Sequence, residues 1–213
     1  MIINYKNHPF LQIRKKIKKP FLFFMTDIKR TMDLFETIKT LPKGCILIFR
    51  HYEHKDRHKL AKCVVTACRQ AQIFCLISND IHLATRLNAN GVHFPEYALH
   101  KINKRPRTKK HMVLTAAAHS FATTLKAQKL GFDAVLLSPV YNSESHPNEP
   151  TMGHRKLASI CSLTKIPIIA LGGINTKNIT QLINAGVTGF AGIGIFSKLK
   201  KQSDARNYRN IGI

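Results

Sequence analysis

A chain of 213 residues with 44% hydrophobic content is long enough to bury a substantial core. Its 11 glycines and 9 prolines are too few for a collagen-like or low-complexity chain, and no apolar run approaches the roughly 20 residues of a membrane span. Lysine and arginine number 34 against 11 aspartates and glutamates, and the resulting formal net charge of +23 attracts phosphates and opposes self-association without naming a partner.

Taken in chain order, residues 1–19 read as a basic arm ahead of the fold, with no continuous apolar core or cleavage site for export. Short apolar segments follow at 21–26, 45–50, 73–78, 91–94, 112–115, 134–137, 168–171 and 189–193, each rich in β-branched, aromatic or leucine side chains. Between them run helical patterns. Residues 57–70 place Leu60, Val64, Ala67 and Cys68 on one side, 120–130 starts from a cap region at His119-Ser120, and Thr176 can cap a helix running to Ala185 and ended by Gly186. Residues 201–213 read as a basic tail.

Eight strand and helix alternations call for a parallel sheet covered on its faces. The count, the length and the absence of an opening GxGxxG favour a single (β/α)8 TIM barrel over residues 20–200 rather than an open doubly wound sheet. Chemistry in such barrels gathers at the C-terminal ends of the strands, where this sequence puts Asp27, Arg50, Asn79, Asp80, His93, Ser138, Gly172 and Gly192. After strands seven and eight, the turns with Gly172 and Gly173 and with Ile193 and Gly194 expose backbone N–H groups suited to a phosphate. The same glycines would also serve tight turns. Asp80, at a strand's end, suits Mg2+ or a cap for a helix starting at Ile81.

Other features point elsewhere. The basic clusters at 6–19, 101–110 and 198–209 neither lie on a recognition helix nor alternate with stacking aromatics, so they read as solvated faces and nucleic acid is not the expected partner. Five cysteines without a CxxC pair read as buried free thiols of a reducing cytoplasm. His51, His54 and His58 could share a helical face, but without a firm ligand spacing they read as a solvated segment and not a zinc site.

The ordered motifs Thr26-Asp27, Arg50, Ser78-Asn79-Asp80, Gly91-Val92-His93, Ser138-Pro139-Val140-Tyr141 and Ile169-Ala170-Leu171-Gly172-Gly173-Ile174 resemble those of thiamine phosphate synthases and the related thiazole tautomerases. The resemblance implies coupling of a hydroxymethylpyrimidine diphosphate to a thiazole phosphate with release of pyrophosphate, and Mg2+ on the diphosphate. It implies Arg50 and Asn79 as catalytic residues, with Gly172, Gly173, Ile193 and Gly194 around the thiazole phosphate, and His119 joins the catalytic candidates as a proton carrier. Ser143, Ser145 and His146 stand where the family has two threonines and a lysine, and Glu96 is the carboxylate available beside Asp80 for the metal. Four positions depart from the family: Ile48 and Tyr52 replace a glutamine and a lysine, Ala98 an aspartate and Ala117 a serine. The alternative is a thiazole tautomerase, or a weakened paralogue that binds thiazole or thiamine phosphate, with His93, His119 and His146 as proton carriers. Small phosphorylated substrates are the expected partners, a membrane is not, and a homo-oligomer stays open.

Overall fold

In a computed structural model, which describes residues 20–31, 33–143 and 150–192, the first strand pairs in parallel with both the second and the last. The strands are β1 (Phe21–Met25), β2 (Ile46–Phe49), β3 (Phe74–Ser78), β4 (Gly91–Phe94), β5 (Val113–Ala118), β6 (Ala134–Leu137), β7 (Ile168–Leu171) and β8 (Gly189–Gly192). They close in sequence order into a barrel, as the sequence predicts. Seven helices fill the connections among the described residues: α1 (Leu34–Thr40), α2 (Arg57–Gln70), α3 (Ile81–Arg86), α4 (Glu96–His100), α5 (Phe121–Lys129), α6 (Gly153–Leu163) and α7 (Ile179–Asn184). The expected basic arm (1–19) and basic tail (201–213) lie outside the described residues.

Strand alternation divides the core in two. Phe21, Phe23, Met25, Ile46, Ile48, Leu76, Leu136 and Ile169 fill the barrel interior, while Phe24, Leu47, Phe49, Ile77, Val92 and Leu114 pack outward against the helices. Both faces of every strand are therefore buried, which is why the strands read as short continuous apolar runs. Truncating an interior phenylalanine such as Phe23, fully buried, to alanine would cost about 3–5 kcal/mol.

Two elements depart from expectation. β5 continues through Ala116, Ala117 and Ala118, which pair with Val135, Leu136 and Leu137 of β6; alanine has little strand preference of its own, and the neighbouring strand decides its conformation. The last helix begins at Ile179 rather than after Thr176, because two asparagines hold the preceding turn. Asn178 Oδ1 accepts from Asn175 N at 3.0 Å, and Asn175 Oδ1 accepts from Lys177 N at 2.9 Å. Gly186, at φ 90°, follows the helix as predicted. Among the cysteines, Cys45, Cys68 and Cys75 are buried and Cys161 is half-buried, but Cys63 is exposed on α2. Burial pushes the Cys45 thiol up to about 12 and that of Cys161 to about 11, so neither offers a thiolate near neutral pH.

The basic segment between β4 and β5 is partly tied down. Arg105 lies 3.6 Å from the buried carboxylate of Asp133, and Lys109 Nζ donates at 3.3 Å to the Thr85 carbonyl in the last turn of α3, where a helix favours positive charge. Among the described residues no helix is long and apolar enough to cross a membrane.

Candidate active site

All eight strands run the same way, so the segments that follow them meet at one mouth of the barrel. Arg50 leaves β2 with its N–H donating to Thr26 Oγ1 at 2.9 Å. The same buried hydroxyl meets His51 Nδ1 at 3.0 Å, and the His51 ring stacks on Phe49 with centroids 5.1 Å apart. The backbone of the half-buried Arg50 is thus fixed while its guanidinium makes no ion pair among the described residues. His93 on β4 is 2% exposed, with Nδ1 2.9 Å from Thr115 Oγ1. Burial, helped by the charge of Arg50, lowers its pKa to about 3, so the ring is neutral at physiological pH.

Beyond this centre the predicted polar residues pair across neighbouring units. Asp80 Oδ1 accepts from Leu83 N at 2.8 Å and caps α3; its Oδ2 faces Arg57 Nη1 at 3.1 Å. Arg57 Nη2 also donates to the Ser78 carbonyl at 2.8 Å, and its guanidinium carbon lies 5.7 Å from the Phe49 ring centroid and 5.8 Å from that of Tyr52. The Tyr52 hydroxyl in turn meets Ser78 Oγ at 2.6 Å. Asn79 sits at φ 57°, its N–H on the His93 carbonyl at 2.8 Å and its Nδ2 donating to Tyr97 Oη at 3.0 Å. Glu96 takes both donors of His119: the backbone N–H at 3.0 Å on Oε1 and Nδ1 at 2.5 Å on Oε2. Burial alone would raise the Glu96 carboxyl, but the hydrogen bonds from His119 and Thr123 outweigh it and hold the pKa below the usual value.

These pairings bear directly on the expected metal. Mg2+ bound with a substrate phosphate needs one or two carboxylates with oxygens free to coordinate. Both oxygens of Asp80 are engaged by Leu83 and Arg57, and both of Glu96 by His119. Among the described residues no group of three or more His, Cys, Asp or Glu side chains converges on a cation position. The residues as paired therefore do not fit a protein-held Mg2+, and Asp80 forms the helix cap expected for it. The histidines after β2 also diverge: His51 binds Thr26, His54 Nδ1 accepts from Asp56 N at 3.2 Å, and His58 Nδ1 lies 2.9 Å from Arg86 Nη2.

The glycine turn after β7 has a structural duty first. Gly172 and Gly173 have φ of 101° and 64°, and the Gly172 carbonyl accepts from Tyr141 N at 3.1 Å. A β-carbon on Gly173 would lie 2.4 Å from the Asn142 carbonyl oxygen, so the turn packs on the loop after β6 in a way only glycine permits. A bulky residue at Gly173 would therefore disturb the fold as well as any anion site there. The N–H groups of Gly173 and Ile174 have no hydrogen-bond partner among the described residues, which leaves them for an anion. Ser143 is half-buried after β6, whereas Ser145, His146, Ile193 and Gly194 lie outside the described residues.

Two participants, Arg57 and Tyr97, escaped the sequence reading. Both sit in the first turn of a helix that follows a barrel strand, and such first turns always lie at the mouth; that placement was the signal available.

A family model described as thiamine monophosphate synthase matches residues 22–196, all of the described barrel but Phe21 at the start of β1. The chain belongs to the thiamine monophosphate synthase family. A curated relative named putative thiamine-phosphate synthase 2, from Aquifex aeolicus, is 33% identical over 182 residues, covering 83% of this chain and 97% of its own length. A thiamine-phosphate synthase of Clostridium acetobutylicum is 28% identical, with coverage of 87% and 91%. The solved thiamine phosphate pyrophosphorylase of Pyrococcus furiosus has the same fold, with a TM-score of 0.65 at 20% identity over 85% of this chain and 94% of that one. Within this thiamine monophosphate synthase family member, the four departures are structurally absorbed. Ile48 is fully buried in the barrel interior, Tyr52 bonds Ser78, and Ala98 and Ala117 are half-buried on α4 and β5.

Proposed function

We propose that this protein is a transferase that couples hydroxymethylpyrimidine diphosphate to a thiazole phosphate, releasing pyrophosphate. The observation that carries this reading is Arg50, a half-buried residue at the barrel mouth without a carboxylate partner among the described residues. An arginine so placed can bind diphosphate oxygens in a bidentate manner and stabilise the charge that builds as the leaving group departs. The C–O bond to the pyrimidine methylene breaks, its electron pair leaves with pyrophosphate, and the thiazole nitrogen forms the new C–N bond. Neutral His93 adds no positive charge to the barrel at this end. The Gly173 and Ile174 N–H groups would take the thiazole phosphate. His119, its Nδ1 held by Glu96, and Asn79, held by Tyr97, line the same mouth in fixed orientations. Mg2+ enters this reading as the counter-ion of the diphosphate, and the free thiols and phosphorylated substrates suit a cytoplasmic enzyme.

The test is formation of thiamine phosphate from the two substrates with Mg2+. Wild-type protein should turn over, and Arg50→Ala should lose about 10- to 150-fold in kcat/KM, the equivalent of one charged hydrogen-bonding group, with an unchanged melting temperature. Wild-type protein that binds thiazole phosphate in calorimetry yet forms no product would overturn the coupling assignment.

A further inference from the structure

We propose that Arg57 neutralises Asp80 in this protein, in the place a divalent cation would take, so that the free enzyme holds no metal at the mouth of its barrel. The contact is built rather than incidental. Arg57 and Asp80 side chains are only 15% and 25% exposed, with Nη1 3.1 Å from Oδ2. The guanidinium is anchored separately on the Ser78 carbonyl at 2.8 Å and flanked by the rings of Phe49 and Tyr52. Its buried Nε has no hydrogen-bond partner, so the carboxylate of Asp80 supplies much of what keeps this charge in place. The other Asp80 oxygen accepts from Leu83 N at 2.8 Å and caps α3.

Charge counting extends the point. Arg57 and Asp80 cancel, so Asp80 presents no net negative charge to a divalent cation, while Arg50 stays available to a diphosphate. To bind Asp80 a metal must first displace a guanidinium that is already tied to β3. The pair spans the first turn of α2 and the end of β3, so it also fixes where Asp80 and Asn79 stand relative to Arg50. The identity of the diphosphate rests on the coupling assignment; the metal claim does not.

Mn2+, read by electron paramagnetic resonance as it leaves solution, tests the proposal on the full-length chain without any turnover. Wild-type protein should show no saturable binding dependent on Asp80. Arg57→Gln should gain at least tenfold in Mn2+ affinity, and adding Asp80→Asn should remove the gain. Arg57→Met serves the same purpose if circular dichroism finds the glutamine variant unfolded. Micromolar Mn2+ binding by wild type that disappears in Asp80→Asn overturns the proposal, as does a folded Arg57 variant with no gain. Failure of the coupling assignment would instead appear as absent product with these metal results unchanged.

Discussion

Acidification should weaken this fold through one buried ring. The His93 pKa is lowered from 6.5 to about 3, so between those values the unfolded chain takes up a proton that the folded protein refuses. Its contribution is fully present above about pH 6.5 and is lost as pH falls through that window, by about 1.4 kcal/mol per unit. From pH 7.5 to pH 5 the loss comes to about 2 kcal/mol, a sizeable share of the roughly 5–15 kcal/mol that holds a domain together. Urea unfolding at both pH values, in wild type and His93→Gln, isolates the effect, because carboxylates and His51, whose pKa burial also lowers, titrate in both proteins. With a denaturant slope of roughly 2 kcal/mol per molar, the wild-type midpoint should fall about 1 M further than that of the variant. Equal shifts in the two proteins would refute the account, and would mean that the ring gains a proton inside the folded barrel.

Two substitutions probe the backbone. Gly173→Ala should destabilise by about 2 kcal/mol or more, whereas Gly153→Ala, at the similar φ of 66° but in open space, should cost only about 1 kcal/mol of strain; equal melting temperatures would show that the seam to Asn142 is not close-packed. Ser120→Ala removes the Oγ that accepts from Thr123 N at 3.1 Å and should cost about 1 kcal/mol in chemical denaturation.

The barrel was legible because its local signals agree. Each strand is a short apolar run buried on both faces, each connection has a helical period, and eight such alternations leave few other closures. The positions of Arg50, Asn79 and Asp80 followed at once, since a parallel barrel sends every strand end to one face. Local preference failed where neighbours decide. The alanines ending β5 follow β6, and the turn before α7 follows its own asparagine bonds rather than the cap at Thr176.

What the mouth residues do to one another belongs to the tertiary structure. Arg57 and Asp80 are 23 residues apart, as are Glu96 and His119, in each case one unit of the barrel reaching across to the next. A sequence presents these groups as separate candidates for a metal, a base or a cap. Only the closed register of the strands sets the distances, and at about 3 Å a carboxylate answers to the nearest donor and not to the role its position suggests. The same closure decides that Gly173 must stay glycine, because the carbonyl that excludes its side chain arrives from a different loop.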